Sequence, residues 1–248
     1  MQDLDSCLLV AKSASLLAGN YLKEQRSNNL KILSNKGRDL KLQVDIDAEK
    51  IIKESITQHS SLPILAEESG MSAEPDEYFW VVDPLDGTSN FLRNIPISCV
   101  SISLMKGFTP MLGVIYDFNN SDLYYAHQKS KAYINDIEIS VSSLSQKKES
   151  TLVTGIPAKD HYSDNEFKNM ISDFQSWKKV RMIGSAAMAS AYVASGKAEA
   201  YKENGIFLWD IAAGAAIVEA AGGKILISNY QSDFRVDVNF TNQNLEEL

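Results

Sequence analysis

The segment WVVDPLDGTSNF, residues 80–91, decides how the rest of the sequence is interpreted. An apolar run leads into Asp83 and Asp86, which stand three positions apart with a proline between them and a glycine directly after. The apolar run predicts a buried strand, and Asp-Pro and Asp-Gly are both turn-forming pairs. Two carboxylates at the end of one buried strand repel each other unless a cation compensates their charge. The segment therefore predicts a strand that ends at a cation site.

Three further carboxylates stand beside apolar segments. Glu67 and Glu68 follow the apolar run LPILA, and Asp210 precedes the run IAAGAAIV. Taken alone, Asp210 would be an ordinary helix N-cap, and two glutamates that end a strand would be solvated. Taken together with the two aspartates of the turn, they favour a hard cation that prefers oxygen ligands, and Mg²⁺ is the metal that we expect.

The sequence offers no comparable site for a softer metal. The three histidines, His59, His127 and His161, form no ligand-like pair and are expected at the surface, which disfavours zinc. Cys7 and Cys99 have no CxxC spacing and are predicted to be two buried thiols in a reducing compartment.

The composition is that of a soluble globular protein. Among 248 residues, 24 Lys and Arg stand against 32 Asp and Glu, which gives a net charge of -8. This charge disfavours binding to nucleic acid or to an anionic membrane. The sequence has no apolar run long enough to span a membrane, and its N-terminus lacks the order of a signal peptide. A cytoplasmic enzyme is expected.

The order of predicted elements indicates two regions, residues 1–145 and 146–248. The first begins with amphipathic helices over residues 4–26 and 44–59, joined by a polar loop in SNKGRD, and continues with strands in LPILA and YFWVVD. ISCVSISLM, PMLGVIYDF and DLYYAHQ then predict an antiparallel meander. The second region alternates strands with two helices, one that ends near Gly196 and one from Asp210 to about Ala221, as an α/β unit does.

Three motifs in order carry a resemblance to a known family. LAEES, DPLDGTSNF and WDIAAGAAIVEAAGG together resemble the signatures of the inositol monophosphatase family of Mg²⁺-dependent, lithium-sensitive phosphatases. The resemblance covers nearly the whole chain. It implies a mixed α+β and α/β fold, the layered αβαβα sandwich of the sugar phosphatases, and it implies a homodimer that binds two or three Mg²⁺ ions.

The resemblance also implies roles for particular residues. The implied metal ligands are Glu67, Asp83, the backbone carbonyl of Leu85, Asp86 and Asp210, with Glu67 also taking part in catalysis. The N–H groups of Gly87 and Thr88 would bind the phosphate, and the Thr88 hydroxyl would contact the attacking water. Asp45 would pair with Thr88 and help activate that water. Asp47 is a rival to Asp45, because LKLQVDID lacks the family threonine.

The remaining implied roles concern the outer shell of the site and the substrate. Glu68 would support the metal site as a second-shell residue or as a ligand through water. Gly184, Ser185 and Ala186 would lie beside a sugar or inositol ring, Glu203 would hydrogen bond a substrate hydroxyl, and Asp210 would contact the substrate as well as metal.

The expected reaction is hydrolysis of a small phosphate monoester by metal-activated water, most of all inositol-1-phosphate. The alternatives within the superfamily are a 3′(2′),5′-bisphosphate nucleotidase, a fructose-1,6-bisphosphatase and a histidinol-phosphatase. Met188 follows GSAA, and no lysine stands nearby. Bisphosphate nucleotidases tend to carry a lysine at this place, so the segment favours the monophosphatase. The alternative from a different class is a regulatory protein-binding module.

Overall fold

Two amphipathic helices and a hairpin open the fold. In the computed structural model, which describes residues 3–26, 30–36, 39–156 and 163–245, α1 spans Leu4–Gln25 and α2 spans Gln43–Thr57. Both helices agree with the prediction, and the buried face of α1 recurs every three or four residues. Between them, β1 (Ile32–Lys36) pairs with β2 (Asp39–Leu42) as an antiparallel hairpin. The prediction of a polar loop over SNKGRD was therefore wrong for both of its ends.

The first large sheet follows the predicted meander. Its strands are β3 (Ile64–Ala66), β4 (Gly70–Met71), β5 (Tyr78–Asp86), β6 (Cys99–Lys106), β7 (Thr109–Asp117), β8 (Asp122–His127), β9 (Ala132–Ile134) and β10 (Ile137–Ile139). They are arranged in the order β10-β9-β8-β7-β6-β5-β3-β4. All neighbours are antiparallel except β3 and β5, which run parallel. That parallel pair brings the ends of two strands to the same edge of the sheet.

The second sheet and its helices follow in the chain. A one-turn helix, α3 (Thr88–Leu92), comes directly after β5. The later elements are β11 (Thr151–Thr154), α4 (Asp164–Ser176), β12 (Lys179–Met182), α5 (Ala186–Ala194), β13 (Ala200–Phe207), α6 (Leu208–Ala220), β14 (Lys224–Ser228) and β15 (Arg235–Thr241). The sheet order is β12-β11-β13-β15-β14. The sequence did not predict α4, β13 or β15, and α6 begins two residues before Asp210.

The elements stack in five layers. One apolar cluster joins α1 and α2 to the first sheet, a second joins that sheet through α5 and α6 to the second sheet, and a small third cluster lies between the second sheet and α4. α6 is rich in alanine and buried along nearly its whole length, so two sheets can pack closely against it. This arrangement confirms the αβαβα sandwich.

Two side chains differ from the sequence-based expectation. His127 is buried at 7% exposure, not at the surface, because its Nε2 lies 3.1 Å from Asp5 Oδ1 and its Nδ1 accepts a hydrogen bond from the Lys129 N–H. Cys7 is only half-buried, whereas Cys99 is buried as expected, and both thiols are free. His59 is exposed as expected, and His161 lies outside the described residues. Within the described part of the chain, no helix has the length and hydropathy needed to cross a membrane.

Candidate active site

A bulge at the end of β5 brings its two aspartates to one side of the sheet. Asp83 stands opposite Ser101 of β6, and Asp86 stands opposite Cys99. Over this stretch β5 therefore contains one residue more than β6. Residues three apart on a regular strand would face opposite sides, and one extra residue reverses that. Leu85 accordingly joins the apolar cluster on the α1 side, while both carboxylates lie on the α6 side.

Carboxylates from three segments meet beside this bulge. The Glu67 N–H donates to the Val82 carbonyl at 3.2 Å, which places the residue after β3 next to Asp83. The Asp83 side chain hydrogen bonds to Glu67 and to Asp210, the third residue of α6. Burial, followed by repulsion from neighbouring carboxylates, raises the pKa of both aspartates well above the ordinary value. The same causes raise the pKa of Glu67, although that residue retains solvent exposure.

The Asp86 carboxylate is held by uncharged donors from the second region of the chain. Its Oδ2 accepts hydrogen bonds from the Ser185 hydroxyl at 2.6 Å and from the Ala187 N–H at 2.7 Å, both at the N-terminus of α5. Burial raises the pKa of Asp86 to about 6, while these hydrogen bonds act in the opposite direction. Ser185, predicted beside the substrate ring, therefore contacts a predicted metal ligand, and the next residue, Ala186, is buried.

The turn after Asp86 depends on glycine. Gly87 has φ of 89°, and a Cβ there would lie 2.8 Å from the Ile97 carbonyl oxygen. α3 then begins at Thr88, whose hydroxyl donates to the Leu85 carbonyl at 3.0 Å. The expected hydrogen bond between Thr88 and Asp45 is not formed, because the threonine hydroxyl finds a carbonyl three residues earlier. The Leu85 carbonyl keeps a second lone pair for another partner.

Asp45, and not its rival Asp47, lies next to the carboxylate cluster. Asp45 is 2% exposed; its Oδ2 accepts from the Leu42 N–H at 2.7 Å, while its Oδ1 is buried without a hydrogen-bond partner among the described residues. Burial raises its pKa to about 7. Asp47 instead accepts from the Tyr21 hydroxyl and from the Gln43 amide on the α1 side. A buried carboxylate oxygen without a partner is costly and is a mark of functional sites.

Glu68, the residue after Glu67, contacts a cation. Its carboxylate forms an ion pair with the Lys41 ammonium, and its N–H donates to Glu49 Oε2 at 2.8 Å. No sequence pattern indicates this lysine, because its partner lies 27 positions away and the pair forms only in the folded chain.

Glu203 lies over a glycine in a neighbouring strand end. Its Oε2 accepts a hydrogen bond from the Tyr201 hydroxyl at 3.0 Å, and a Cβ on Gly155 would lie 2.3 Å from its Oε1, so a larger residue there would displace the Glu203 carboxylate. Burial raises the pKa of Glu203 to about 7. A cavity of about 920 Å³ beside α4 is bordered by Glu203 and Gly155 but not by the carboxylates of the β5 bulge.

Asn90, which has no predicted role, joins the two regions of the chain. Asn90 Nδ2 donates to the carbonyls of Ile97 at 2.8 Å and Ile183 at 2.7 Å, and lies 3.3 Å from the carbonyl of Gly184. These contacts fix the exposed Gly184 turn against the turn that carries Asp86. The only available signal was the asparagine of DGTSN, four residues after Asp86.

The fold agrees with what comparison with known proteins finds. The model of the inositol monophosphatase family matches residues 3–245. The chain belongs to the inositol monophosphatase family. It is 38% identical over 234 residues to an inositol-1-monophosphatase of Synechocystis, which is 92% of this chain and 80% of that relative.

Two other matches extend the comparison. A Xylella fastidiosa protein named Nus factor SuhB is 36% identical over 216 residues, 86% of this chain and 78% of its own. The solved structure of inositol monophosphatase from Anabaena has a TM-score of 0.84 and 33% identity, with 98% of this chain and 93% of that chain covered. Membership in the inositol monophosphatase family makes this chain a phosphatase, and the family is generally metal-dependent.

The residues present fit a metal. Among the described residues, no three His, Cys, Asp or Glu side chains are already arranged around one point as a metal cage. The Asp83 carboxyl instead hydrogen bonds to both Glu67 and Asp210, which requires shared protons. Once ionised, these carboxylates and Asp86 would repel each other and need a cation, and their oxygens suit a hard one.

Proposed function

We propose that this phosphatase hydrolyses a small phosphate monoester with the help of Mg²⁺, and that inositol-1-phosphate is its foremost substrate. The observation that carries the proposal is the group of four carboxylates, Glu67, Asp83, Asp86 and Asp210, beside the glycine turn of residues 86–88. Carboxylates that raise each other's pKa are costly to a fold, and a site that uses them to hold a cation explains why they are together.

The proposed ligands of two or three Mg²⁺ ions are these four carboxylates and the Leu85 carbonyl. When bound, Mg²⁺ would supply positive charge to the phosphate and acidity to a water molecule. The Leu85 carbonyl is fixed from both sides, because its own N–H donates to Asp83 Oδ1 at 3.0 Å and its oxygen accepts from Thr88. The protein thus orients an oxygen ligand without adding a further charge.

The remaining residues of the site would bind the phosphate and move the proton. The N–H groups of Gly87 and Thr88 follow Asp86 and would donate to phosphate oxygens. Asp45, with a pKa of about 7 and one oxygen without a partner, would accept the proton of the attacking water. A small rotation of the Thr88 hydroxyl away from Leu85 would let it contact the same water.

Glu203 would receive a hydroxyl of the substrate. Its Oε2 is taken by Tyr201, which leaves Oε1, the oxygen nearest Gly155, as the acceptor. We propose that the exposed Gly184 turn borders the substrate, and that Ser185 acts on it only through Asp86. The substrate would then lie between the glycine turn and Glu203.

The test is a substrate panel. Inositol-1-phosphate, fructose-1,6-bisphosphate, 3′-phosphoadenosine 5′-phosphate and histidinol phosphate are each assayed for phosphate release in EDTA, in Mg²⁺, and in Mg²⁺ with Li⁺. We expect release from inositol-1-phosphate above all, dependent on Mg²⁺, inhibited by Li⁺, and abolished in Asp210→Asn. A higher kcat/KM for another compound of the panel would identify that compound as the preferred substrate. Phosphate release that persists in EDTA would overturn the proposed role of the carboxylates.

The regulatory alternative is suggested by the name of the Xylella relative. No contact in the described residues favours it over catalysis. We further propose that the phosphatase acts in the cytoplasm, which suits its two free thiols. We also propose that it forms a homodimer, as the family resemblance implies.

A further inference from the structure

The side chain of Asn90 lies between two glycine turns of the site, one at Gly87 and one at Gly184. Its Nδ2 donates to the carbonyls of Ile97 at 2.8 Å and Ile183 at 2.7 Å, and lies 3.3 Å from the Gly184 carbonyl. An amide NH₂ group has two hydrogens, so the two shorter contacts use both of them. The opposite orientation of the amide would place its oxygen against three carbonyl oxygens. Asn90 therefore acts as a donor that joins the two regions of the chain.

The two turns pack directly against each other. Gly87 and Gly184 both have positive φ, at 89° and 71°. A Cβ on Gly87 would lie 2.8 Å from the Ile97 carbonyl oxygen and 3.3 Å from that of Gly184. These are two of the oxygens that Asn90 contacts, and a Cβ on Gly184 would lie 3.2 Å from Asn90 Nδ2. The distance between the two turns therefore depends on the Asn90 amide.

A second link between the same segments ends on a charged group. The Ser185 hydroxyl and the Ala187 N–H both donate to Asp86 Oδ2, and Asp86 is a proposed metal ligand. A cation bound at Asp86 would compete for the same carboxylate. The contacts of Asn90 end on backbone carbonyls instead, so they hold the Gly184 turn in the same way with metal and without it.

We propose that Asn90 is a positioning residue for the substrate: it fixes the Gly184 turn relative to Gly87 and so sets how closely the site fits the ring that carries the phosphate. The inference rests on the proposed function, which places the phosphate at Gly87 and the ring beside Gly184. Without the amide, the carbonyls lose a donor, and a buried carbonyl without one is costly. The Gly184 turn would then shift away from Gly87 to admit water, and the ring would be held less closely while the phosphate still binds.

The experiment separates binding of the ring from binding of the phosphate. KM and kcat for inositol-1-phosphate, and the competitive inhibition constant of inorganic phosphate, are measured at saturating Mg²⁺ for the wild-type chain and Asn90→Leu. Leucine keeps the size of asparagine and removes its donors without adding charge. We expect KM to rise about tenfold, while the inhibition constant of phosphate stays within about twofold of the wild-type value.

The matched control is Asn242→Leu. Asn242 also donates from Nδ2 to a carbonyl, that of Leu144 at 2.8 Å, and among the described residues its hydrogen-bond partners do not belong to the site. Its loss should lower Tm but leave KM and the inhibition constant unchanged. An equal rise of KM in this control would show that the effect of Asn90→Leu is a general loss of stability, which would overturn the inference.

Gly184→Ala tests the same contact from its other side. The added methyl would lie 3.2 Å from Asn90 Nδ2 at a φ of 71°, so KM should rise while phosphate inhibition stays unchanged. Because both changes act on one contact, the double variant should raise KM by less than the product of the two single effects. If Asn90→Leu does not fold, Gly184→Ala alone decides between these outcomes.

Three results would overturn the inference. They are a KM of Asn90→Leu within about twofold of the wild-type value, a phosphate inhibition constant that rises as much as KM, and single effects that multiply in the double variant. A wild-type chain that prefers another ester of the panel changes only the substrate, and KM is then compared for that ester. A wild-type chain that releases phosphate from none of them would instead overturn the proposed function.

Discussion

Asp86 and Glu68 are both largely buried carboxylates near the same site, but the protein holds them in different ways. Asp86 receives a hydroxyl and a backbone N–H, both uncharged, from α5. Glu68 receives the ammonium of Lys41. Uncharged donors fix a carboxylate and leave its net charge in place, whereas a cation cancels it. The donors that surround an acid therefore indicate whether its charge is kept for a ligand or used within the fold.

The largest expected effect separates these two acids directly. Asp86→Asn keeps the shape and removes the charge, so we expect kcat/KM to fall about 10³-fold, equivalent to about 4 kcal/mol, with loss of Mg²⁺ binding. Glu68→Gln should cost no more than about tenfold. Steady-state assays at saturating Mg²⁺ and calorimetry measure both. Equal losses in the two variants would show that the donor set does not distinguish their roles.

An intermediate effect is expected when one uncharged donor is removed. Ser185→Ala deletes the hydroxyl that holds down the pKa of Asp86, so this pKa rises and Mg²⁺ affinity at pH 6.5 falls about tenfold. The loss should shrink at pH 8, where the carboxyl ionises in either protein. Because Ser185 also caps α5, Ser163→Ala at the cap of α4 is the control, with a similar stability cost of about 1 kcal/mol. A loss of affinity that does not depend on pH would contradict this account.

The smallest effect is on stability and tests the raised pKa values. Asp45 and Glu203 each have a pKa of about 7 in the folded protein, above the ordinary carboxyl range. The folded state holds these protons more tightly than the unfolded chain, so stability is full below about pH 4 for these groups and falls as pH rises toward 7. In EDTA we expect Tm to drop by about 10 °C between pH 5 and pH 8.

The corresponding control variant is Glu203→Gln, which should reduce this drop because one of the titrating carboxyls is gone. Mg²⁺ should reduce it too, by favouring the ionised form of the neighbouring carboxylates. Differential scanning calorimetry gives both comparisons. A Tm that rises with pH in EDTA would mean that the two carboxyls are ionised in the folded protein.

Strong periodic patterns in the sequence were sufficient to predict most of the fold. Apolar residues recur at helical spacing in α1 and form short runs between turns in the meander. These local patterns were enough to predict both. α4 carries an apolar stripe at helical spacing, Phe167, Met170, Ile171 and Phe174, so the sequence held a signal for this helix that the prediction missed. The centre of the β1–β2 hairpin, SNKGRD, is entirely polar or glycine, so it looked like a loop.

The residues of the site also differ in how well local sequence patterns predict them. The carboxylates of DPLDG and LAEES could be predicted, because they stand at the ends of strands that the sequence itself marks. The partners of these carboxylates could not, since Ser185 lies 99 positions from Asp86 and Lys41 lies 27 positions from Glu68. The missing bond between Thr88 and Asp45 also depends on a local choice of acceptor that a motif does not encode.

The alanine-rich α6 has one consequence for the chemistry. Asp210 lies on this helix, while Asp83 and Asp86 lie on a strand of the sheet against which it packs. The gap between the two sets of carboxylates therefore depends on the width of alanine side chains one to two helical turns after Asp210. A larger residue at Ala213 or Ala216 would push α6 away from the first sheet. Asp210 would then move away from Asp83 and Asp86, although the substituted residue contacts none of the three.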